Sequence, residues 1–162
     1  MKKIKFNAVE VLEMAREIEK KGEFFYSFWA NKVEKEELKK VFLKLAEDEK
    51  DHYDTFARLS KKVKKELTED VEYIYNEQVS AYLRSLVEFS VFPANPEELK
   101  KISLNKVSEI LNIAIMAEKE SILFYQEILK YNKQETAKVL KQLINEEKQH
   151  LMDLTNYLQE LA

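Results

Sequence analysis

Only three of the 162 residues are glycine or proline, one of the first and two of the second. Tight reversals draw on these two residues first, glycine for positive φ and proline for a preset φ. A sandwich, a barrel or an α/β fold needs a turn signal about every 8–12 residues, and this chain cannot supply them. Long helices joined by few loops remain. The length is that of one ordinary domain, 1–162, and suffices to bury a sizeable core.

Composition narrows the function classes. With 45% hydrophobic and 35% charged residues the chain is not of the disordered type. No apolar run approaches the roughly 20 residues of a membrane span. A net charge of −3 leaves no broad basic footprint for nucleic acid. Met1–Phe6 is basic but no apolar core follows it, so no signal peptide is expected and the expected location is cytoplasmic. The absence of cysteine removes disulfides, thiolate nucleophiles, Cys-type zinc sites and iron–sulfur clusters. Any metal site must be built from His, Asp and Glu.

Apolar residues recur with helical period in four long segments, about 8–31, 35–65, 105–131 and 133–161. Asn7 with Glu10, and Asn132 with Glu135, have the spacing of capping boxes. Leu38, Val41, Phe42, Leu45, Phe56 and Leu59 form the stripe of the second segment. Val107, Ile110, Leu111, Ala114, Leu123 and Ile128 form that of the third. Lys61, Lys62, Lys64 and Lys65 read as a solvated helix end favoured by the macrodipole. Between the second and third segments lies a further helix, about 71–88, then both prolines, with Asn95-Pro96 as a cap and first helical position. The apolar stretch of Leu86, Val87, Phe89, Val91 and Phe92 there covers the bundle or makes a dimer contact. Connections that run short, long, short predict an all-α antiparallel four-helix bundle: a hairpin over 7–66, a crossover over 67–104 and a second hairpin over 105–162.

The chain has two histidines, and each follows a glutamate by three residues: Glu49-Lys50-Asp51-His52 and Glu147-Lys148-Gln149-His150. Positions i and i+3 share a helix face, so each pair can hold one cation. The halves upstream repeat as well. Glu19-Lys20 and Glu118-Lys119 are each followed, after four residues, by Phe-Tyr, ending at Tyr26 and Tyr125. Glu19 to Glu118 and Tyr26 to Tyr125 are offset by 99 residues, and Glu49 to Glu147 and His52 to His150 by 98. The chain reads as two copies of one helical hairpin. The midpoints of Glu19/Glu49 and of Glu118/Glu147 both fall in the expected short loops, so each pair lies at one height, roughly 22 Å from its turn. Four carboxylates gathered in a bundle core would repel one another and lose solvation unless cations compensate them. Two divalent metals balance the charge, and carboxylate with imidazole suits iron or manganese, with zinc as a competitor.

The neighbours fit this centre. Ala15 and Ala114 lie four residues before Glu19 and Glu118, and Gly22 and Ser121 three after. A mid-helix glycine costs about 1 kcal/mol relative to alanine, so Gly22 signals space above the metals for a small oxygen ligand, or close helix packing. Tyr26 and Tyr125 are placed to hydrogen-bond a ligand carboxylate in preference to carrying a radical. Metal-bound imidazoles usually donate their free N–H to a carboxylate. Asp48 is placed to serve His150, and Glu146 to serve His52.

One Glu, a Glu-x-x-His, a long crossover, then Glu and a second Glu-x-x-His resembles the ferritin-like di-iron carboxylate proteins. Glu19–Tyr26 and the run Glu47-Asp48-Glu49-Lys50-Asp51-His52 resemble their rubrerythrin branch. The resemblance implies that Glu19, Glu49, His52, Glu118, Glu147 and His150 hold two iron ions, the glutamates setting charge and bridging. It implies an oxidoreductase that reduces hydrogen peroxide or dioxygen, a peroxidase or ferroxidase. Rubrerythrins also carry a cysteine-ligated rubredoxin domain, so an external donor such as rubredoxin is expected here. They carry an additional ligand glutamate one turn from the first on the third bundle helix, where this chain has Ile115 and Ser121. Iron storage without turnover, oxygen-dependent hydroxylation and a bundle merely stabilised by metal are the alternatives. A homodimer is expected.

Overall fold

The computed structural model describes residues 5–66, 75–88, 92–93, 95–102 and 106–161. Its helices are α1 (Ala8–Ala30), α2 (Glu36–Glu66), α3 (Glu77–Glu88), α4 (Pro96–Lys100), α5 (Val107–Leu129) and α6 (Gln134–Glu160). α1 packs along α2 as one hairpin and α5 along α6 as the other, while α1 faces α5 and α2 faces α6. The result is the expected all-α ferritin-like bundle. Among the described residues no helix is long and apolar enough to cross a membrane.

Local signals set several boundaries. The Asn7 side chain accepts from the Glu10 N–H at 2.8 Å and the Glu10 carboxylate accepts from the Asn7 N–H at 2.8 Å, a complete capping box. α2 places Glu36 and Glu37 in its first turn and Lys64 and Lys65 in its last, each the favourable sign for the macrodipole. Asn95 caps α4 through the Glu98 N–H, with Pro96 opening the helix.

The core is split across its middle. One apolar half gathers Phe25, Trp29, Leu38, Phe42, Leu45, Ile110 and Leu154; the other gathers Val11, Leu12, Phe56, Phe124, Leu140 and Leu143. The start of α1 thus shares a half with the ends of α2 and α5 and the start of α6, so neighbouring helices run antiparallel. The crossover is tied to both halves. The Tyr75 N–H donates to the Phe6 carbonyl at 2.9 Å, the Phe6 N–H donates to the Ser80 hydroxyl at 3.1 Å, and the Tyr75 ring meets Tyr131. At the opposite end Phe92 and Leu99 are buried with Phe25 and Trp29.

Three details differ from the sequence reading, and the crossover stretch takes one of the two roles expected of it. The crossover helix begins at Glu77, where the Asn76 side chain accepts from the Val79 N–H at 2.9 Å; residues 71–74 lie outside the described residues. Of the apolar crossover stretch, Leu86, Val87 and Phe92 pack inward, and Phe89 and Val91 lie outside the described residues. Leu123, expected in the core stripe, is exposed. The second capping box does not form. Lys133 is the cap residue of α6, the Asn132 side chain donates instead to the Ile128 carbonyl at 2.7 Å, and Glu135 pairs with Lys62 at 3.0 Å. Asn132 closes the helix before it rather than opening the one after.

The same turn puts Gln134 at φ 53°, the left-handed region. A side chain there costs roughly 1–2 kcal/mol. Gln134→Gly is expected to raise the stability of the metal-free protein by about 1 kcal/mol, or ~2–4 °C in Tm. A thermal melt beside wild type reads this, and a lowered Tm would show that the turn is not strained.

Candidate metal centre

Between the two apolar halves lie Glu19 on α1, Glu49 and His52 on α2, Glu118 on α5, and Glu147 and His150 on α6, each no more than 3% exposed. Those six residues come together as two groups: Glu19, Glu49, His52 and Glu147, and Glu49, Glu118, Glu147 and His150. Within each group the ligand atoms lie within 4.8 Å of one another, and Glu49 and Glu147 belong to both.

The outer partners aim the donors inward. His52 Nε2 lies 2.8 Å from Glu146 and His150 Nε2 lies 3.1 Å from Asp48. With the outer nitrogens so engaged, both Nδ1 atoms face the cluster. The Tyr26 hydroxyl donates to Glu118 Oε1, and the Tyr125 hydroxyl donates to Glu19 Oε1. Each hairpin's tyrosine thus serves the other hairpin's glutamate, a crossed arrangement that follows from the twofold repeat. Burial and the charge of Glu118 hold the Tyr26 hydroxyl well above the usual range for tyrosine; burial and Glu19 do the same for Tyr125, so both stay protonated donors.

The inner atoms are close but unsatisfied. His52 Nδ1 is 2.7 Å from Glu147 Oε1 and 3.5 Å from Glu19 Oε2. His150 Nδ1 is 3.4 Å from Glu49 Oε1 and 3.5 Å from Glu147 Oε2. Yet Glu19 Oε2, Glu49 Oε1, both oxygens of Glu147 and both Nδ1 atoms are buried without a hydrogen-bond partner. The short 2.7 Å approach is out of line for a hydrogen bond. Lone pairs that converge on common points, rather than on each other's protons, are the arrangement a cation requires. Buried polar atoms are otherwise paired almost without exception. The residues therefore fit two metal ions, in a donor set of carboxylate and imidazole.

Without a cation, protons take over the charge balance. Burial alone lowers His52, but the adjacent Glu147 and Glu19 carboxylates outweigh it and push it up to about 12. His150 is likewise lowered by burial and raised, to about 11, by Glu118 and Glu147. Burial, then the charge of Glu147, raises Glu118 to about 8. Burial with Glu19 and Glu147 raises Glu49 well above the carboxylate range. Glu147 alone of these moves down: burial and Glu19 oppose its charge, but the two imidazoles prevail.

Gly22 has a specific purpose. A Cβ there would lie 2.8 Å from Glu49 Oε2 and 3.1 Å from its Cδ. The space is filled by Glu49 itself, which is the close-packing alternative for Gly22 rather than an open space for a small ligand. Gly22→Ala is expected to weaken cation binding at least ~10-fold by displacing Glu49, while its higher helix propensity of about 1 kcal/mol offsets the repositioning cost to the metal-free fold. Cobalt(II) titration and a melt of the metal-free protein separate the two effects; unchanged affinity would contradict the role given to Gly22.

Some contacts were not legible in the sequence. Lys44 donates to Asp48 at 2.6 Å and Gln142 to Glu146 at 3.0 Å; the i, i+4 spacing of each pair was the available signal. Arg16 donates to the Tyr53 hydroxyl at 2.8 Å, pairs with Glu13 at 3.1 Å and lies over the Tyr53 ring at 4.5 Å. No periodicity announces that α1–α2 contact. Ser121 turns its hydroxyl back to the Ala117 carbonyl at 3.1 Å and adds no ligand to the cluster.

A four-helix bundle with buried Glu and Glu-x-x-His residues on facing helices defines a ferritin-like carboxylate protein. Within that class the family model for rubrerythrin matches residues 10–158, and the chain belongs to that family. No curated protein and no solved structure matches the chain.

Proposed function

We propose that this chain is a di-iron oxidoreductase that reduces hydrogen peroxide or dioxygen with electrons from a separate donor. The observation that carries the reading is the pair of ligand groups sharing Glu49 and Glu147, lined with partnerless buried donor atoms. Glu19 and His52 would complete one ion's set and Glu118 and His150 the other's, with Glu49 and Glu147 common to both. When bound, a reduced iron pair supplies two electrons at one place, which matches the two-electron reduction of peroxide to water.

The chain's own residues prepare the site. Tyr26 and Tyr125 occupy Oε1 of Glu118 and Glu19, which fixes those carboxylates and leaves each Oε2 turned inward. Asp48 and Glu146 accept at Nε2 of the imidazoles, so that when a cation displaces the inner protons the Nδ1 lone pairs would face the centre. The apolar halves on both sides keep bulk water away. Family resemblance supports iron, and the six-residue set, with Ser121 turned away and no additional glutamate one turn from Glu118, is closer to the minimal form that serves ferrous-iron oxidation than to the full ligand set of the peroxidases. Electrons would come from a donor such as rubredoxin, since these 162 residues contain no cysteine to hold such a centre.

The test is anaerobic loading with ferrous iron followed by peroxide in a stopped-flow spectrometer, wild type beside Glu118→Ala. Wild type is expected to oxidise two irons per chain far faster than the variant. Oxidation no faster than that of the free ion would end the reading.

A further inference from the structure

The two halves of the centre repeat one another in their ligands but not in what lies behind them. The offset of 98 that relates Glu49 to Glu147 and His52 to His150 also relates Asp48 to Glu146 and Lys44 to Gln142. Behind His150, one oxygen serves two donors: Asp48 Oδ2 is 3.1 Å from His150 Nε2 and 2.6 Å from the Lys44 ammonium. Behind His52 the load is divided. Glu146 Oε2 is 2.8 Å from His52 Nε2, while its Oε1 accepts from the neutral Gln142 amide at 3.0 Å.

A carboxylate bonded to a ligand imidazole raises the basicity of the inner nitrogen, and the effect scales with the charge it brings. The Lys44 ammonium offsets the Asp48 charge on the very oxygen His150 uses. Among the described residues no lysine or arginine is bonded to Glu146: the Lys44 ammonium also acts on it, but less than on Asp48, and the Glu146 bond to His52 is the shorter one. The remaining neighbours do not reverse this order. Tyr26 and Tyr125 hold equivalent places in the two halves. Arg16, one turn from Glu19, has its charge met by Glu13 at 3.1 Å.

We propose that the two cation sets are unequal, and that a divalent cation fills the set containing His52 before the set containing His150 because the Lys44 ammonium is paired with Asp48 on the oxygen that His150 uses, while Glu146 is bonded, besides His52, only by the neutral Gln142 amide. The inference rests on the two-metal reading above and adds to it an order of filling set by two exposed residues that touch no ligand.

Cobalt(II) is the probe. Calorimetric titration of metal-free wild type is expected to show two steps of one ion each, separated about three- to tenfold in affinity. Crystals grown with one equivalent are expected to give the stronger anomalous peak beside His52. Lys44→Gln should tighten the weaker step and close the gap; Gln142→Lys should weaken the stronger step and close it from the other side. Two equal steps in wild type, equal peaks, or a gap that survives Lys44→Gln would overturn the inference while leaving the two-metal centre intact. No cobalt uptake at all would overturn both.

Discussion

The metal-free protein is expected to lose stability steadily as pH rises from about 5 to 9, and the metal-loaded protein to gain it. His52 and His150 carry protons in the folded state up to about 12 and about 11, against 6.5 for an ordinary histidine. Their contribution is complete below the unfolded value and drains away as pH climbs toward the folded ones. Glu118, at about 8, and Glu49 behave alike: folded they keep a proton that the unfolded chain has released above 4.5. Across this window the native state binds more protons than the unfolded state, so stability falls with pH. Glu147 and Asp48 have the opposite sign, but their lowered values act below the ordinary carboxylate range and outside the window. Cations replace those protons. Loading two ions near neutral pH should release about four protons per chain. At a thousandfold excess over Kd each filled set adds about 4 kcal/mol, enough to raise Tm by more than ~10 °C. Melts with and without cobalt(II) at several pH values, together with an indicator dye for released protons, test the point. Metal-free stability that rises with pH, or loading without proton release, would refute this charge balance.

Replacing Glu147 by glutamine should disable both cation sets at once. Its two oxygens face different imidazoles, Oε1 at 2.7 Å from His52 and Oε2 at 3.5 Å from His150, and the residue belongs to both ligand groups. The amide keeps the shape but removes the charge and presents N–H donors to one of the two lone pairs. Even residues behind the ligands change metal affinity ~10- to 100-fold, so losing a shared carboxylate should weaken both ions by at least ~100-fold. Glu19→Gln is the contrast: Glu19 belongs to one group only, so one ion should be retained near wild-type affinity. The measurement is metal content and cobalt(II) affinity of each variant. A Glu147→Gln protein that still takes up two ions at wild-type affinity would remove Glu147 from the centre.

Much of this centre was written in local spacing. The i, i+3 pairs, the offsets of 98 and 99, and the equal distance from the turns already bring Glu19, Glu49, His52, Glu118, Glu147 and His150 to one height, because a helix converts sequence separation into axial distance at a fixed rate. The pairing of Asp48 with His150 and of Glu146 with His52 was legible for the same reason. What spacing does not encode is azimuth. Whether Asn132 would cap forward or backward, and whether Leu123 would face in or out, depends on how each helix is rotated against its neighbours.

The sequence by itself determined the class of fold, the level of the centre along the bundle and the chemistry of its donors. Scarcity of glycine and proline leaves only long helices, and period and repeat place the polar residues within them. Tertiary structure alone decided which atoms meet: that Glu49 and Glu147 are shared, that each tyrosine crosses to the opposite hairpin, that the Gly22 space belongs to Glu49, and that Lys44 draws on the oxygen behind His150. These are contacts between helices, set by side-chain packing over a few ångströms, and no one-dimensional period carries that information.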